Sequence, residues 1–253
     1  MIGNPKGGYQ FLKGGGPFSS GCRAAAGYEI VHAVFDSLAP LERGYGLIEQ
    51  HLRSLGRPMQ ALCGMELRIP EPLSIDAFND FNGPYVEKLK AWDILLDGMN
   101  PVARTNVAVK PNRITEPSVY GFSYTVESNS AAPTLLTAGA GELKSSKLAE
   151  SEIVRHGDTS PEGFAEKVGT VLGSMSKRLT GMEADWPLVT AVDIYTIHPI
   201  DAMIESTILP HMNRAERHGL RWFFARPPVI GIDFEMDVRV VGQEVVLPLT
   251  DNP

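Results

Sequence analysis

The sequence predicts an α+β protein made of two consecutive halves, each a mixed β-sheet with helices packed on one face. In both halves, a helical pattern is followed by a strand, a second helical pattern and two further strands. Residue identity between the halves is low, so the predicted repeat depends on the order of the elements. The small, polar stretch 128–147 is typical of a junction. We therefore place an N-terminal repeat at 1–128 and a C-terminal repeat at 129–253.

The elements of the first half follow from periodicity, capping residues and proline. Apolar side chains at helical spacing share one face from Leu41 to Leu55, and Gly56 ends that helix. Ser74 is a good N-cap for the second helix, and Pro84 inside it predicts a kink or a late start. The predicted order is a strand at 28–35, a helix ending at Gly56, a strand at 61–69, a helix after Ser74, and strands at 103–109 and 118–126.

The second half repeats this order. In the stretch 159–164, a serine or threonine cap precedes an early proline and a glutamate in the first turn, which is typical of a helix start. Apolar residues continue on one face of that helix until Gly181. The predicted order is a helix from 159 to Gly181, a strand at 187–197, a helix at 199–209, and strands at 220–225 and 229–241.

Composition and charge limit the possible classes of function. The chain carries a net charge of −7, which argues against nucleic-acid binding as its main task. Cys22 and Cys63 form no CxxC pair, and the six histidines show no HExxH or other metal spacing, so we expect no metal and no cofactor. The N-terminal stretch has no apolar leader, and no run reaches the roughly 18 apolar residues of a membrane span. We therefore expect a cytoplasmic protein without a membrane partner.

Three motifs and the spacing of two helices in the first half resemble the Rid (YjgF) superfamily. The stretch GGGPFSSG at 14–21 is similar to that family's Gly-Pro-Tyr-Ser segment, with Phe18 at the tyrosine position. DFNGPY at 80–85 resembles its Phe-x-x-hydrophobic-Asn-x-x-Tyr helix, and NPVARTNVAV at 100–109 resembles its Pro-x-Arg-Thr strand entry. Together these features cover residues 11–126, and their combination is more specific than any single motif.

The second half, with GLRWFFARPPVIGIDFEMD at 219–237, resembles the companion domain of long, tandem members. The whole chain is most similar to bacterial members that deaminate 2-aminomuconate or 2-amino-5-chloromuconate. The resemblance implies a chorismate-mutase-like fold, a homotrimer with clefts between adjacent domains, and hydrolysis of imines or enamines with release of ammonia. Two family features are absent: VHAVFD at 31–36 replaces the usual Ser-Gly-Gln, and the strand 118–126 lacks the family's glutamate.

Arg104 is the first candidate for a catalytic residue, because it follows a proline turn at the mouth of a strand. Its planar guanidinium can bind a carboxylate through two parallel hydrogen bonds. From the residues alone, a surface ion pair is the alternative. The family's Pro-x-Arg-Thr pattern favours the role in the site.

The second catalytic candidate lies in the strand 232–239, where apolar and charged residues alternate. Asp233, Glu235, Asp237 and Arg239 share one face of this strand. Close acids in a partly buried cleft raise one another's pKa, which suits proton transfer, whereas a solvated sheet face is the alternative. The family places an acid on this strand, so we select Glu235, with Asp233 and Asp237 as rivals.

Four further residues are predicted to bind substrate. Phe18 and Ser19 lie in a glycine-rich loop whose backbone can approach a ligand, with a plain turn as the alternative. Asn82 lies on a helix face, where it would hold a ligand or cap a neighbouring backbone group. Arg221 opens a strand and is the expected second-half counterpart of Arg104.

The predicted function is hydrolytic deamination of a small conjugated enamine that carries two carboxylates. Arg104 would hold one carboxylate and Arg221 of a neighbouring repeat the other. A water oriented by Glu235 or by a backbone carbonyl would add to the imine carbon. The alternatives are a general 2-iminoacid deaminase, a chorismatase-like hydrolase, and a non-catalytic trimer that binds a carboxylate metabolite.

Overall fold

The computed structural model describes residues 1–110 and 113–249, and the last four residues of the second predicted repeat, 250–253, lie outside the described residues. It contains two mixed β-sheets with helices, which confirms the predicted α+β class. The strands are β1 (Ile2–Asn4), β2 (Tyr9–Leu12), β3 (Gly21–Ala24), β4 (Tyr28–Pro40), β5 (Leu62–Ile69), β6 (Ala103–Val109), β7 (Ser118–Glu127), β8 (Leu135–Thr137), β9 (Ala140–Gly141), β10 (Ala191–Tyr195), β11 (Arg221–Phe223), β12 (Ala225–Arg226), β13 (Glu235–Val240) and β14 (Glu244–Leu247).

Among the described residues, three long helices and two short ones accompany the sheets. The short helices flank a π-helical turn, Ile204–Ile208. The helices are α1 (Leu41–Ser54), α2 (Ile75–Ala91), α3 (Pro161–Gly181), α4 (Asp201–Met203) and α5 (Leu209–Met212). Within the described part of the chain, none of them combines the length and apolar character that crossing a bilayer requires.

The two sheets share one local topology. The six-stranded sheet has the order β12-β6-β5-β7-β4-β14, and the eight-stranded sheet has the order β1-β2-β3-β8-β13-β10-β11, with β9 also paired to β13. In the first sheet, β5 pairs in parallel with β6 and antiparallel with β7. In the second sheet, β10 pairs in parallel with β11 and antiparallel with β13. Each sheet therefore contains a strand with one parallel and one antiparallel neighbour, and the two-repeat organisation stays a prediction.

Strands near each end of the chain pair with strands of the other half. Strands β1 to β3 belong by sequence to the first half, yet β3 pairs with β8 of the second half, with Cys22 opposite Leu136. Near the other end of the chain, β14 pairs in parallel with β4, with Val246 opposite Val34. Each half therefore contributes strands to the sheet of the other, so a single cut between residues 128 and 129 does not separate the two sheets.

The two helix starts that were predicted from capping residues are confirmed. The Ser74 hydroxyl accepts a hydrogen bond from the amide of Ala77, and α2 runs from Ile75 through Pro84 to Ala91, so the late start is wrong. The hydroxyl of Ser160 caps α3 in the same way. Such caps satisfy amide groups that the first turn of a helix leaves without a backbone partner.

Several second-half elements are shorter than predicted. The strand at 187–197 shrinks to β10 because residues Trp186–Leu188 form a 3₁₀ turn. The stretch 220–225 divides into β11 and β12, which belong to different sheets. The strand at 229–241 begins only at Glu235, because Gly231 has φ of +92° and turns the preceding segment.

Each sheet places one face under helices and the other face towards the second sheet. Along β13, Met236 and Val238 pack in the core that includes α3. The alternate residue Arg239 donates a hydrogen bond to Glu66 of β5, and Thr105 of β6 donates one to Asp237. The predicted alternation of faces along β13 is confirmed, and its polar face is enclosed between the sheets and not solvated.

Candidate active site

A cavity of about 460 Å³ lies at the junction of the two halves. From the first half, the glycine-rich loop, α2 and β6 contribute Phe18, Asn82 and Arg104. From the second half, β13 and α3 contribute Glu235 and Arg178. Four of the residues predicted from sequence therefore meet in one cavity, although they are up to 217 positions apart in the chain (235 − 18).

Arg104 is buried, with 3% of its surface exposed. Its Nη2 donates a hydrogen bond of 2.6 Å to Oδ1 of Asn82. Its Nη1 has no hydrogen-bond partner among the described residues. Burial lowers the pKa of Arg104 below its usual value. A buried cation with a free donor is costly, so this guanidinium is suited to bind an anion that enters the cavity.

Aromatic rings surround the Arg104 guanidinium in place of carboxylates. The rings of Tyr85 and Phe18 have their centroids 4.6 and 4.9 Å from its Cζ, and that of Phe78 lies 5.6 Å away. Ring faces attract a cation but do not neutralise its charge. The environment therefore orients Arg104 while leaving it able to pair with a ligand carboxylate.

Glu235 opens β13 and is 6% exposed. Burial, followed by repulsion from Asp237, raises the pKa of Glu235 to about 8, although the cation of Arg178 acts in the opposite direction. Gly139 lies against this carboxylate, so closely that a Cβ there would overlap with Glu235 Oε1. An acid with a pKa near neutrality can both give and accept a proton, which is what general acid–base catalysis requires.

The two rival acids have other partners. Asp233 accepts a hydrogen bond of 2.5 Å from the buried ammonium of Lys167. Asp237 accepts one of 3.0 Å from Arg239. Glu235 is the member of the three that lines the cavity, and none of the described side chains donates a hydrogen bond to its carboxylate.

Ser19 and Arg221 are placed elsewhere. The Ser19 hydroxyl is buried 3.5 Å from Cys22 Sγ, and Ser20 lines the cavity in its place. Arg221 donates hydrogen bonds of 2.6 Å to Asp193 and 3.1 Å to Glu244, away from the cavity. Within one chain, the structure does not bring the predicted pair Arg104 and Arg221 into one site.

Sequence reasoning missed several polar residues of the cavity, among them Asn106 and Arg178. Asn106 follows Arg104 by two positions on β6, so strand alternation could have identified it. Arg178 follows Ser174 by four positions on α3, and both line the cavity. The Arg178 Nη1 donates a hydrogen bond of 2.5 Å to the carbonyl of Ala138, and burial lowers the pKa of Arg178 to about 10.

A second set of buried charges lies between the sheets, beside the cavity. Arg239 Nη1 donates to Glu66 at 2.9 Å and to Asp237 at 3.0 Å, and its Nη2 donates to Asp193 at 2.7 Å. The three carboxylates lie close enough together to hold a metal ion. The Arg239 guanidinium already contacts each of them, so the arrangement fits this internal cation.

Comparison with known proteins places the chain among deaminases. The model of the family described as 2-aminomuconate deaminase CnbZ matches residues 1–245. A 2-amino-5-chloromuconate deaminase of Comamonas testosteroni is 39% identical over 246 residues, covering 95% of this chain and 96% of that protein. Among solved structures, a crystal structure of chorismatase matches with a TM-score of 0.52 and 11% identity, covering 88% of this chain and 77% of that one. At this identity the likeness concerns the fold alone, and it agrees with a chorismate-mutase-like architecture.

Proposed function

Because this chain belongs to the 2-aminomuconate deaminase CnbZ family, we propose that it hydrolyses 2-aminomuconate or a chlorinated relative and releases ammonia. The observation that carries the proposal is the buried guanidinium of Arg104, which has a free Nη1 in a cavity that also holds Glu235. This pairing offers an anchor for a carboxylate and a group that moves protons, which are the two functions such a reaction needs.

The substrate is a conjugated dicarboxylate, so it needs two cationic contacts. Arg104 binds one carboxylate through its free Nη1. Arg178 takes the role that sequence reasoning gave to Arg221, because it lies in the same cavity as Arg104. Two opposed arginines hold the extended molecule in one orientation, which brings its amino-bearing carbon to a fixed position near Glu235.

Glu235 carries the protons through each step. Its carboxylic acid first protonates the carbon next to the amino-bearing carbon, which turns the enamine into an iminium ion. Water then adds to the iminium carbon and gives one proton to the Glu235 carboxylate. Glu235 returns that proton to nitrogen, the carbon–nitrogen bond breaks, and the hydroxyl proton comes back to Glu235 as the carbonyl forms. One water is consumed, one ammonia is released, and no electrons are gained or lost.

One wall of the cavity is apolar. Phe78, Val229 and Ile232 pack in one buried cluster and line the cavity. A chlorine atom on the substrate chain is apolar and would be favourably placed against such a wall. This supports activity on the chlorinated substrate named for the Comamonas testosteroni relative.

The test is to mix the protein with 2-aminomuconate and to measure ammonia together with the loss of ultraviolet absorbance. We expect stoichiometric ammonia from the wild-type protein and almost none from Arg104→Lys, because lysine lacks the planar fork. Binding of the substrate without ammonia release would instead favour a non-catalytic carboxylate-binding protein. Turnover of small 2-iminoacids at a higher kcat/KM than 2-aminomuconate would favour a general iminoacid deaminase.

The homotrimer is part of this proposal. The chain has a mass of 27.5 kDa, so light scattering at micromolar concentration should give about three times that value. A monomer of 27.5 kDa would contradict the assembly. It would leave the proposed chemistry intact, because Arg104, Arg178 and Glu235 line one cavity within a single chain.

A further inference from the structure

Asn106 is a buried amide with unused hydrogen-bonding capacity. It lies on β6, is 3% exposed and lines the cavity. Neither its Oδ1 nor its Nδ2 has a hydrogen-bond partner in the part of the chain that the structure describes. Leaving both atoms of a buried amide unpaired is unfavourable, so such a group calls for a ligand that satisfies it.

Another buried asparagine of the same region shows what a structural role requires. Asn100 donates from Nδ2 to the carbonyl of Pro17 at 2.6 Å, and its Oδ1 accepts from the amide of Val102 at 2.8 Å. Its side chain therefore fixes two backbone segments. Asn106 makes neither kind of contact, which separates it from an asparagine that holds the fold.

The chemistry of the missing partner follows from the amide itself. The Oδ1 atom accepts a hydrogen bond and the Nδ2 group donates one, so the best ligand offers a donor and an acceptor side by side. Arg104 lies two residues earlier on the same strand, which places the two Cα atoms about 7 Å apart. A dicarboxylate anchored on Arg104 would thus extend past Asn106 with its amino-bearing carbon between them.

We propose that Asn106 is a positioning residue that recognises the substrate nitrogen and the attacking water. This inference rests on the proposed deaminase function. Its Oδ1 accepts a hydrogen bond from the amino or iminium N–H, and its Nδ2 donates one to the oxygen of the water. The amide itself neither gains nor loses a proton. The water oxygen forms the new bond to carbon, its proton goes to Glu235, and the nitrogen leaves as ammonia.

The experiment compares three Asn→Ala variants of the full-length protein. Asn106→Ala removes the proposed contacts, and Asn100→Ala removes a structural amide. Asn129→Ala makes the same chemical change at an exposed position that does not line the cavity. For Asn106→Ala we expect kcat to fall about 10²-fold, because an oriented donor is lost at the reacting centre. KM should change less than about threefold, since the arginine anchors remain. Asn129→Ala should keep wild-type kinetics.

Stability and a substrate analogue distinguish positioning from folding. Asn106→Ala should melt within about 3 °C of wild type, whereas Asn100→Ala should lower the midpoint by about 4–8 °C or more. Muconate carries both carboxylates but no amino group, so its inhibition constant should be the same for wild type and Asn106→Ala. Wild-type kcat in Asn106→Ala, or equal losses of muconate and 2-aminomuconate binding, would overturn the inference.

The inference can fail separately from the proposed function. If the wild-type protein releases ammonia and Asn106→Ala does so equally fast, then the function stands and the role of Asn106 is refuted. If the wild-type protein binds 2-aminomuconate without turnover, titration calorimetry can compare the binding of 2-aminomuconate and muconate to wild type and Asn106→Ala. Loss of the preference for 2-aminomuconate over muconate in Asn106→Ala would support recognition of the nitrogen, and an unchanged preference would refute it.

Discussion

Arg104 and Arg239 are both 3% exposed, yet their surroundings are opposite. Arg239 donates to three carboxylates, and these neighbours raise its pKa against the effect of burial. Arg104 donates to one neutral amide among aromatic rings, and burial lowers its pKa. The charge of Arg239 is thus compensated within the chain, whereas no described carboxylate accepts a hydrogen bond from Arg104.

The comparison supports a stabilising role for Arg239 and the proposed ligand-binding role for Arg104. The space around Arg239 holds only about 10 Å³, so nothing larger than a water fits there. The space beside Arg104 holds about 460 Å³, enough for a six-carbon dicarboxylate. Burial alone therefore does not identify a functional arginine. The combination of an incomplete set of partners and an adjoining cavity does.

The largest effect is expected from removing Arg239, which donates hydrogen bonds to three buried carboxylates. Arg239→Ala leaves the buried carboxylates of Glu66, Asp193 and Asp237 facing one another, and breaking a buried ion pair in this way costs about 3–5 kcal/mol. We expect a much lower midpoint in urea or loss of soluble protein. A variant that unfolds at the wild-type urea concentration would show that the network contributes little to the fold.

Arg104 should show the reverse pattern. Arg104→Ala and Arg104→Lys should lower kcat/KM about 10³-fold, or about 4 kcal/mol, because the substrate carboxylate loses its bidentate partner in a desolvated cavity. The thermal midpoint should stay within a few degrees of wild type, since Arg104 has no carboxylate partner to leave exposed. Steady-state kinetics and calorimetry on the same preparations would test the contrast. A large loss of stability with retained turnover would make Arg104 structural, like Arg239.

Replacing Glu235 should lower activity less than replacing Arg104, but it should change how activity depends on pH. With its pKa raised to about 8 by burial, the acid form prevails at neutral pH and starts the reaction. We therefore expect kcat/KM to fall as pH rises through about 8. Glu235→Gln should lower kcat about 10²-fold and abolish this alkaline limb. A limb that persists in Glu235→Gln would assign the titration to another group.

The same pKa shift predicts an effect on stability with a defined sign. In the unfolded chain, Glu235 loses its proton near its ordinary pKa of 4.5, but in the folded protein it does so only near 8. Between these values the native state binds more protons, so Glu235 lowers stability progressively as pH rises through the window. Glu235→Gln should therefore gain stability relative to wild type from pH 5 to pH 8, as urea unfolding at several pH values would show.

Much of this candidate site could be predicted from sequence, because several of its residues lie in recognisable local patterns. Phe18, Asn82 and Arg104 lie in short motifs, and Glu235 follows from strand alternation together with the family resemblance. Arg178 was missed because an arginine in the last turn of a helix is ordinarily explained by the helix dipole. The exchange of β1–β3 and β14 between the sheets was missed as well. Strand pairing over such distances depends on packing of the whole chain, which local periodicity does not encode.

Replacing Arg221 should have the smallest effect of these substitutions. It also tests the sequence-based prediction that Arg221 binds the substrate. Its side chain is 41% exposed, and its buried partner Asp193 keeps a second hydrogen bond from Arg239. Arg221→Ala should therefore lower stability by only about 1 kcal/mol, since an exposed arm of an ion-pair network contributes little. Activity should be unchanged, because Arg178 lines the cavity together with Arg104 and Arg221 does not. A loss of kcat/KM comparable with that of Arg104→Ala would mean that Arg221 of a neighbouring subunit completes the site. The dicarboxylate would then lie between chains and not within one.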